Sequence, residues 1–168
     1  MAAPSDHRIE LLGDQHDRAA FSCGADALDR YLHVQAGQDS RRRIASCFVL
    51  VAPDSSLAGY YTLSATGIAL ADLPADVARK LPRYPLLPAA LMGRLAVDRR
   101  RQGQQLGELL LFDAFSRAMR SDVASYAFLV DAKDDRAEAF YKKYHFRRLS
   151  GPGRRLYVPL VEIARLFA

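Results

Sequence analysis

The chain has 168 residues, half of them apolar, with a net charge of +5 and a pI of about 9.4. That length suits one domain with a sizeable core rather than a two-domain enzyme. No apolar run reaches membrane-spanning length, and residues 1–7 lack the apolar centre of a signal peptide, so a cytoplasmic protein with no membrane partner is expected.

In chain order, residues 8–12 read as a short edge strand, followed by a polar stretch over 13–18. Leu28, Tyr31, Leu32 and Ala36 fall at helical spacing within 25–36, and Gly37 separates them from a second, shorter helical piece at 38–43. Arg41, Arg42 and Arg43 at its end have two readings, a footing for nucleic acid or a solvated helix terminus with cations at its negative end. Residues 44–52 are a β-rich apolar run. Pro53-Asp-Ser-Ser turns it, and 57–69 supplies the antiparallel partner. A short helix is expected over 72–80, with Pro74 near its first turn. Three prolines within 81–88 exclude a helix or a central strand and predict a stiff, extended connector into a strand at 89–97.

Residues 91–120 carry the strongest pattern. A short apolar strand, 91–97, passes through a basic loop, 98–107, into a helix over about 104–120, whose Leu106, Leu109, Leu110, Ala114, Phe115, Ala118 and Met119 form one face. The first N–H groups of such a helix lack intrahelical partners. With the helix dipole and Arg99, Arg100 and Arg101 nearby, they suit a phosphorylated ligand. No Gly-Lys-Ser/Thr follows Gly103 and the three-glycine dinucleotide fingerprint is missing. Downstream come a buried strand (125–131), a helix (134–143) with Asp134 and Asp135 at its positive start, a strand (145–149), a turn (150–153) and a final strand (155–160). The tail from 161 is either a last helical turn or disordered.

The order predicts an α/β (α+β) fold, a mixed central sheet of about six to seven strands with helices on both faces. Two parallel strands, 91–97 and 125–131, would splay apart and hold the ligand at their C-terminal ends. Arginine dominates the cations, with only four lysines among 24 basic residues, which favours an anionic partner without naming it. Cys23 and Cys47 have neither metal-ligand nor redox spacing, and the four histidines are scattered, so no metal is expected.

Arg100-Arg101-Gln102-Gly103-Gln104-Gln105 resembles the Arg/Gln-x-x-Gly-x-Gly/Ala loop with which GNAT acetyltransferases hold the pyrophosphate of coenzyme A. Gln105 stands where the family has Gly or Ala. Phe140-Tyr141-Lys142-Lys143-Tyr144-His145-Phe146 resembles the Phe-Tyr-x-x-x-Gly-Phe segment near the end of the same domains, with His145 in place of Gly. From Phe21 to Leu160 the chain is similar to the GNAT toxins of type II toxin–antitoxin modules. That likeness rests on Phe21-x-Cys23-Gly24, Leu28-Asp-Arg-Tyr-Leu32, Ala36-x-Gln38-Asp39, Arg43, GYYTLSAT, LPRYPLLPAALMGRLAVD and VDAKDDRAEAFY.

The resemblance implies a single GNAT acetyltransferase domain over residues 1–168, acetyl-CoA as acetyl donor, and the α-amino group of an aminoacyl-tRNA as acceptor. It also implies a ribbon–helix–helix antitoxin as partner and, through it, operator DNA. It admits a homodimer, for which no interface is legible. Leu95, Ala96 and Val97 would pair their main chain with the pantetheine arm, one N–H meeting the oxyanion. Arg101, Gln102, Gly103, Gln104, Gln105, Leu106 and Gly107 would cradle the pyrophosphate, with Arg100 on a phosphate and Ala132, Phe140 and Tyr144 completing the cofactor set. Tyr141 would be the general acid for the leaving thiolate, with Tyr144 in reserve. Arg41, Arg42, Arg43, Arg99 and Arg154 would meet RNA phosphates. An α-amino group titrates near 7.7–8.0, about two units below lysine, so much of it is neutral in the cell and no strong general base is needed. Two other readings remain: acetylation of a small amine or protein N-terminus, and a non-catalytic, degenerate module with Gln105 and His145 as its damage.

Overall fold

The computed structural model describes residues 6–167. Its strands are β1 (Arg8–Leu11), β2 (Ser46–Val51), β3 (Leu57–Ala69), β4 (Leu86–Val97), β5 (Ala127–Asp131), β6 (Arg147–Arg148) and β7 (Arg155–Pro159). Its helices are α1 (Asp26–Arg30), α2 (Ala36–Arg41), α3 (Ala75–Ala78), α4 (Leu106–Arg120), α5 (Asp135–Lys142) and α6 (Leu160–Leu166). The seven strands are ordered β1-β2-β3-β4-β5-β7-β6. β4 and β5 run parallel, Ala89 to Met92 against Ala127 to Val130. β1–β2, β2–β3, β5–β7 and β6–β7 are antiparallel.

The chain packs as two compact units, both of which receive residues from β3 and β4. The first holds the described residues up to Ser64 and Arg94–Ala114. From Cys47 onward every residue of β2 is buried, so this strand is covered on both faces. Tyr60 and Tyr61, adjacent on β3, show how. Tyr60 meets Phe21 edge-on at 5.6 Å, stacks on Tyr31 at 6.3 Å and donates its hydroxyl to the Leu28 carbonyl at 2.6 Å. Tyr61 turns the other way, stacking on Phe48 at 5.1 Å and donating to Asp113 Oδ2 of α4 at 2.6 Å. Gly59 permits the approach of β4: a Cβ there would lie 2.8 Å from the Ala96 carbonyl oxygen and 2.9 Å from Leu110 Cδ1.

The second unit holds Ala65–Gly93 and the chain from Phe115 onward. Phe115, Phe128 and Phe146 meet at 4.9, 5.9 and 6.2 Å between ring centroids. A separate cluster joins Ile68, Leu73, Leu87, Ala89, Ala127, Leu129 and Tyr157. The start of α5 is fixed by Asp134, whose Oδ1 accepts from the Ala137 N–H at 2.8 Å, an N-cap bond.

Several expected boundaries are corrected. Gly37 does not break the early helix: α1 and α2 join through a π-turn at Tyr31–Gln35, making one helical run. The expected 72–80 helix is a 3-10 turn at Leu70–Asp72 followed by α3, with Pro74 at its N-cap. The proline connector ends early, because β4 begins at Leu86 and includes Pro88. Pro88 costs the sheet no carbonyl, which accepts from the Tyr126 N–H at 2.8 Å. β6 is two residues long, and the tail forms α6. The β4–β5 pairing stops at Met92 and Val130 while β4 runs on to Val97.

Candidate functional site

In the first unit β4 ends at Leu95, Ala96 and Val97, and Asp98 opens the loop toward α4. Asp98 is fully buried and organises this loop. Its Oδ1 accepts from the Arg100 N–H at 2.9 Å and from Arg100 Nε at 3.0 Å; its Oδ2 accepts from Arg100 Nη2 at 3.1 Å and from the Ser22 N–H at 3.3 Å. Burial pushes this carboxyl up, but the Arg100 and Ser22 bonds outweigh it and leave it below the usual carboxylate range. Asp98 also donates its N–H to the Ala58 carbonyl at 2.8 Å, and Arg99 donates to the Ser22 carbonyl at 2.8 Å. The three arginines form one 3-10 turn, Arg99–Arg101.

Two of these side chains, and the next, are tied back to the protein. Arg100 forks onto Asp98 while 61% of its side chain stays exposed. Arg101 Nη2 donates to Ser56 Oγ at 2.9 Å and to Asp54 at 3.2 Å. Gln102 Nε2 donates to the Val97 carbonyl at 3.2 Å and the Cys23 carbonyl at 3.1 Å. Gly103, Gln104 and Gln105 are exposed, and α4 begins at Leu106 and Gly107. Gly103 has φ +85° and Gln105 φ +61°. The backbone thus takes the left-handed turn that glycine would take at Gln105, and the N–H groups of the first α4 turn have no intrahelical carbonyl to meet. An anion fits there on main-chain donors, with the positive end of a fifteen-residue helix behind them.

In the second unit Ala132 is buried just past β5, and Phe140 and Tyr141 lie on α5 with Tyr144 just beyond it. Phe140 meets Tyr141 and Tyr144 edge-on, both at 5.3 Å, and Tyr141 meets Phe146 at 5.5 Å. Tyr141 is 5% exposed, and among the described residues no hydrogen bond engages its hydroxyl. Burial pushes its phenol up, and the charge of Asp131 adds to the rise, so the group stays protonated. Asp131 itself is forked by Arg155, Nε to Oδ1 at 2.8 Å and Nη2 to Oδ2 at 3.0 Å. α5 is also anchored through Glu138, which pairs with Arg148 at 2.7 Å and Lys142 at 2.8 Å. The chain leaves α5 with His145 at φ +71°, so both departures from the family pattern keep the glycine conformation.

Of the expected phosphate contacts, Arg41, Arg42, Arg43 and Arg99 are exposed, with Arg43 at φ +59° just past α2. Arg154 is not a free cation: it is bonded to Asp135 and lies 3.5 Å from Glu138. Sequence reasoning missed Asp98, which looks like an ordinary loop acid. Among the described residues no cluster of His, Cys, Asp and Glu could hold a metal ion, and no helix is long and apolar enough to cross a membrane.

Residues 89–165 match the Acetyltransferase (GNAT) domain family. A tRNA-acetylating toxin of Mycobacterium tuberculosis (strain ATCC 25618 / H37Rv) is 37% identical over 137 residues, covering 80% of this chain and 81% of that protein. Among solved structures, AtaT complexed with acetyl-methionyl-tRNAfMet superposes with a TM-score of 0.85 at 31% identity, over 96% of this chain and 99% of that one. A tyrosine-to-phenylalanine variant of the AtaT toxin, bound to the C-terminus of the antitoxin AtaR and to acetyl-CoA, superposes with a TM-score of 0.78 at 28% identity, over 97% and 99%.

Proposed function

The chain belongs to the GNAT acetyltransferases, in the branch of tRNA-acetylating toxins, and from that premise we propose that it moves acetyl from acetyl-CoA to the α-amino group of an aminoacyl-tRNA. The modified tRNA cannot act as an ordinary substrate in elongation, so translation stops until an antitoxin intervenes. The reaction belongs in the cytoplasm, where charged tRNA is made. The whole chain serves as one acetyltransferase domain, with a ribbon–helix–helix antitoxin as partner and operator DNA reached through it. The observation that carries this reading is the loop before α4, where Gly103 and Gln105 turn left-handed and the side chains of Arg100, Arg101 and Gln102 are bonded to Asp98, to Ser56 and Asp54, and to two carbonyls.

The pyrophosphate is held by the amides of Gln104, Gln105, Leu106 and Gly107, and the pantetheine arm by the main chain of Leu95 to Val97. The neutral amine attacks the thioester carbon, an N–H of this strand receives the developing oxyanion, and the new C–N bond forms as the C–S bond breaks. Tyr141 gives its proton to the departing sulfur and recovers one from the amine through water, yielding N-acetyl-aminoacyl-tRNA and coenzyme A. Burial and the charge of Asp131 push the phenol up, so it is protonated and able to donate when the sulfur leaves. Exposed Arg41, Arg42, Arg43 and Arg99 meet RNA phosphates, so turnover should fall linearly with salt concentration when both are plotted logarithmically.

The test is transfer of labelled acetyl from acetyl-CoA to total charged tRNA. The wild type should label the α-amino group. Tyr141→Phe should keep the fold and bind acetyl-CoA while losing about 10²–10⁴ in rate. Near-full turnover in Tyr141→Phe, with loss in Tyr144→Phe, refutes the assignment of the acid.

A further inference from the structure

One half-buried cation in the first unit takes no part in the acetyl transfer so far described. Arg94 lies on β4, one residue before the strand segment assigned to the pantetheine arm. Its guanidinium carbon stands 3.6 Å from the centroid of the Tyr31 ring, a cation–π stack. Among the described residues it makes no hydrogen bond or ion pair, so its N–H groups remain available. The ring beneath it is held firmly. Tyr31 donates its hydroxyl to Asp39 Oδ2 at 2.8 Å, and Gln35 Nε2 donates to Asp39 Oδ1 at 2.9 Å. These three residues come from the π-turn and from α2, and Asp39 is 8% exposed. Tyr60 stacks on Tyr31 at 6.3 Å with an interplanar angle of 15°.

Such an arrangement does little for stability by itself, because an arginine packed on a ring with its donors unused is a weak contact. It does fix a planar fork of donors, which suits an oxyanion. The π-turn carries Tyr31 and Gln35, both bonded to Asp39 of α2, and such turns gather at functional sites.

We propose that Arg94 receives a phosphate of the acceptor RNA, namely the 5′ phosphate of its terminal nucleotide. This rests on the reading of the substrate as aminoacyl-tRNA. The aminoacyl ester and its amine carry no negative charge. The anionic group nearest the reacting nitrogen in a charged tRNA is therefore that phosphate, and a residue beside the thioester-binding strand is where it would be met. A free amino-acid amine or a peptide N-terminus has no such group. Arg94 thus acts as a specificity determinant that favours nucleic-acid-borne amines over others, and the Tyr31–Asp39–Gln35 set positions it.

The experiment compares wild type and Arg94→Met, which keeps the side chain's length and its packing on Tyr31 while removing the charge. Three acceptors are used: total charged tRNA, its ribonuclease T1 3′-terminal fragments, which keep the backbone phosphates, and its ribonuclease A product, aminoacyl-adenosine, which has lost the 5′ phosphate. Arg94→Met should lose about tenfold to a hundredfold in kcat/KM on the first two, the value of a hydrogen bond to a charged group. On aminoacyl-adenosine it should match the wild type, and its affinity for acetyl-CoA should be unchanged by calorimetry. Equal losses on aminoacyl-adenosine, full activity on charged tRNA, or weakened acetyl-CoA binding each overturn the assignment while leaving the enzyme's substrate class intact. A wild type that labels no charged tRNA overturns the substrate class itself, and the role of Arg94 with it.

Discussion

His145→Gly should make the protein more stable, although it removes every atom of a side chain. At the end of α5 the Tyr144 N–H donates to the Tyr141 carbonyl at 2.9 Å and the His145 N–H donates to the Lys142 carbonyl at 3.2 Å. The chain then leaves through His145 at φ +71°, the left-handed exit that glycine usually supplies. That conformation costs a non-glycine residue about 1–2 kcal/mol. Glycine's greater freedom in the unfolded chain takes back about 0.4–1 kcal/mol. The net gain lies between about 0 and 1.6 kcal/mol, centred near about 0.8. A chain of this size shifts Tm by about 2–4 °C per kcal/mol, so the rise should be about 1–4 °C. Gln105, exposed at φ +61°, should behave alike. His145→Ala and Gln105→Ala keep the penalty and should show no gain. Calorimetric scans of the four variants against wild type decide it. Alanine variants as stable as the glycine variants, or glycine variants less stable than wild type, would refute the reasoning. At Gln105 the same set separates strain from obstruction, because acetyl-CoA affinity should stay within about threefold, or 0.7 kcal/mol, for both substitutions. A large gain common to Ala and Gly would mean that the side chain stands in the path of the diphosphate.

Gly59→Ala should destabilise by about 1–3 kcal/mol, since its Cβ would press on the Ala96 carbonyl, a backbone atom unable to move alone; a urea midpoint equal to wild type contradicts this. Glu138 is held down to about 2 by its bonds to Arg148 and then Lys142. A depressed carboxyl contributes fully above its unfolded value, near 4.5, and its contribution drains away as pH falls toward about 2. Wild type should therefore lose stability over that window more steeply than Glu138→Gln, and parallel pH profiles of the urea midpoint would rule the pairing out. Asp98→Asn should cost about 1–3 kcal/mol, because an amide places donors against the donors of Arg100 and Ser22. Unfolding curves check it, and an unchanged midpoint would show the carboxylate to be dispensable.

Much of this fold was readable because its signals are local. β3 was bounded correctly at 57–69, since Pro53-Asp-Ser-Ser and the β-rich run after it mark both ends. The α4 stripe was plain in part: Leu106, Leu110, Ala114 and Phe115 are buried as expected, but Met119 is 38% exposed and Leu111, outside the expected stripe, is fully buried. Asp134, expected within the first turn of its helix, is the N-cap. The early helix misled because a π-turn shifts the helical phase at Tyr31–Gln35, so a 3.6-residue stripe loses its register just before Gly37. Pro88 misled for a different reason: the rule against proline in strands concerns its missing N–H, and here its carbonyl is the group the neighbouring strand uses. Asp98 and Glu138 were missed because their burial depends on tertiary packing, although each has one partner close in sequence, Arg100 and Lys142, beside a distant one, Ser22 and Arg148.

The loop before α4 bears on which groups would hold a diphosphate, side chains or main chain. A run of three arginines and a glutamine beside a helix N-terminus invites the thought that cations do the gripping. Three of those side chains already have partners within the protein: Arg100 on a buried carboxylate, Arg101 on Asp54 and Ser56, Gln102 on two carbonyls. These bonds fix the path of the backbone into Gly103, which follows Gln102 and turns left-handed. A diphosphate needs several donors converging at one distance, and flexible side chains supply that only at an entropic cost. Amides held by rigid geometry, at the positive end of a long helix, supply it in advance. On the proposed reading, then, these side chains serve as scaffolding and the main-chain amides of the loop hold the diphosphate. The two departures share a backbone angle: Gln105, where the family has Gly or Ala, and His145, where it has Gly, both adopt the left-handed conformation.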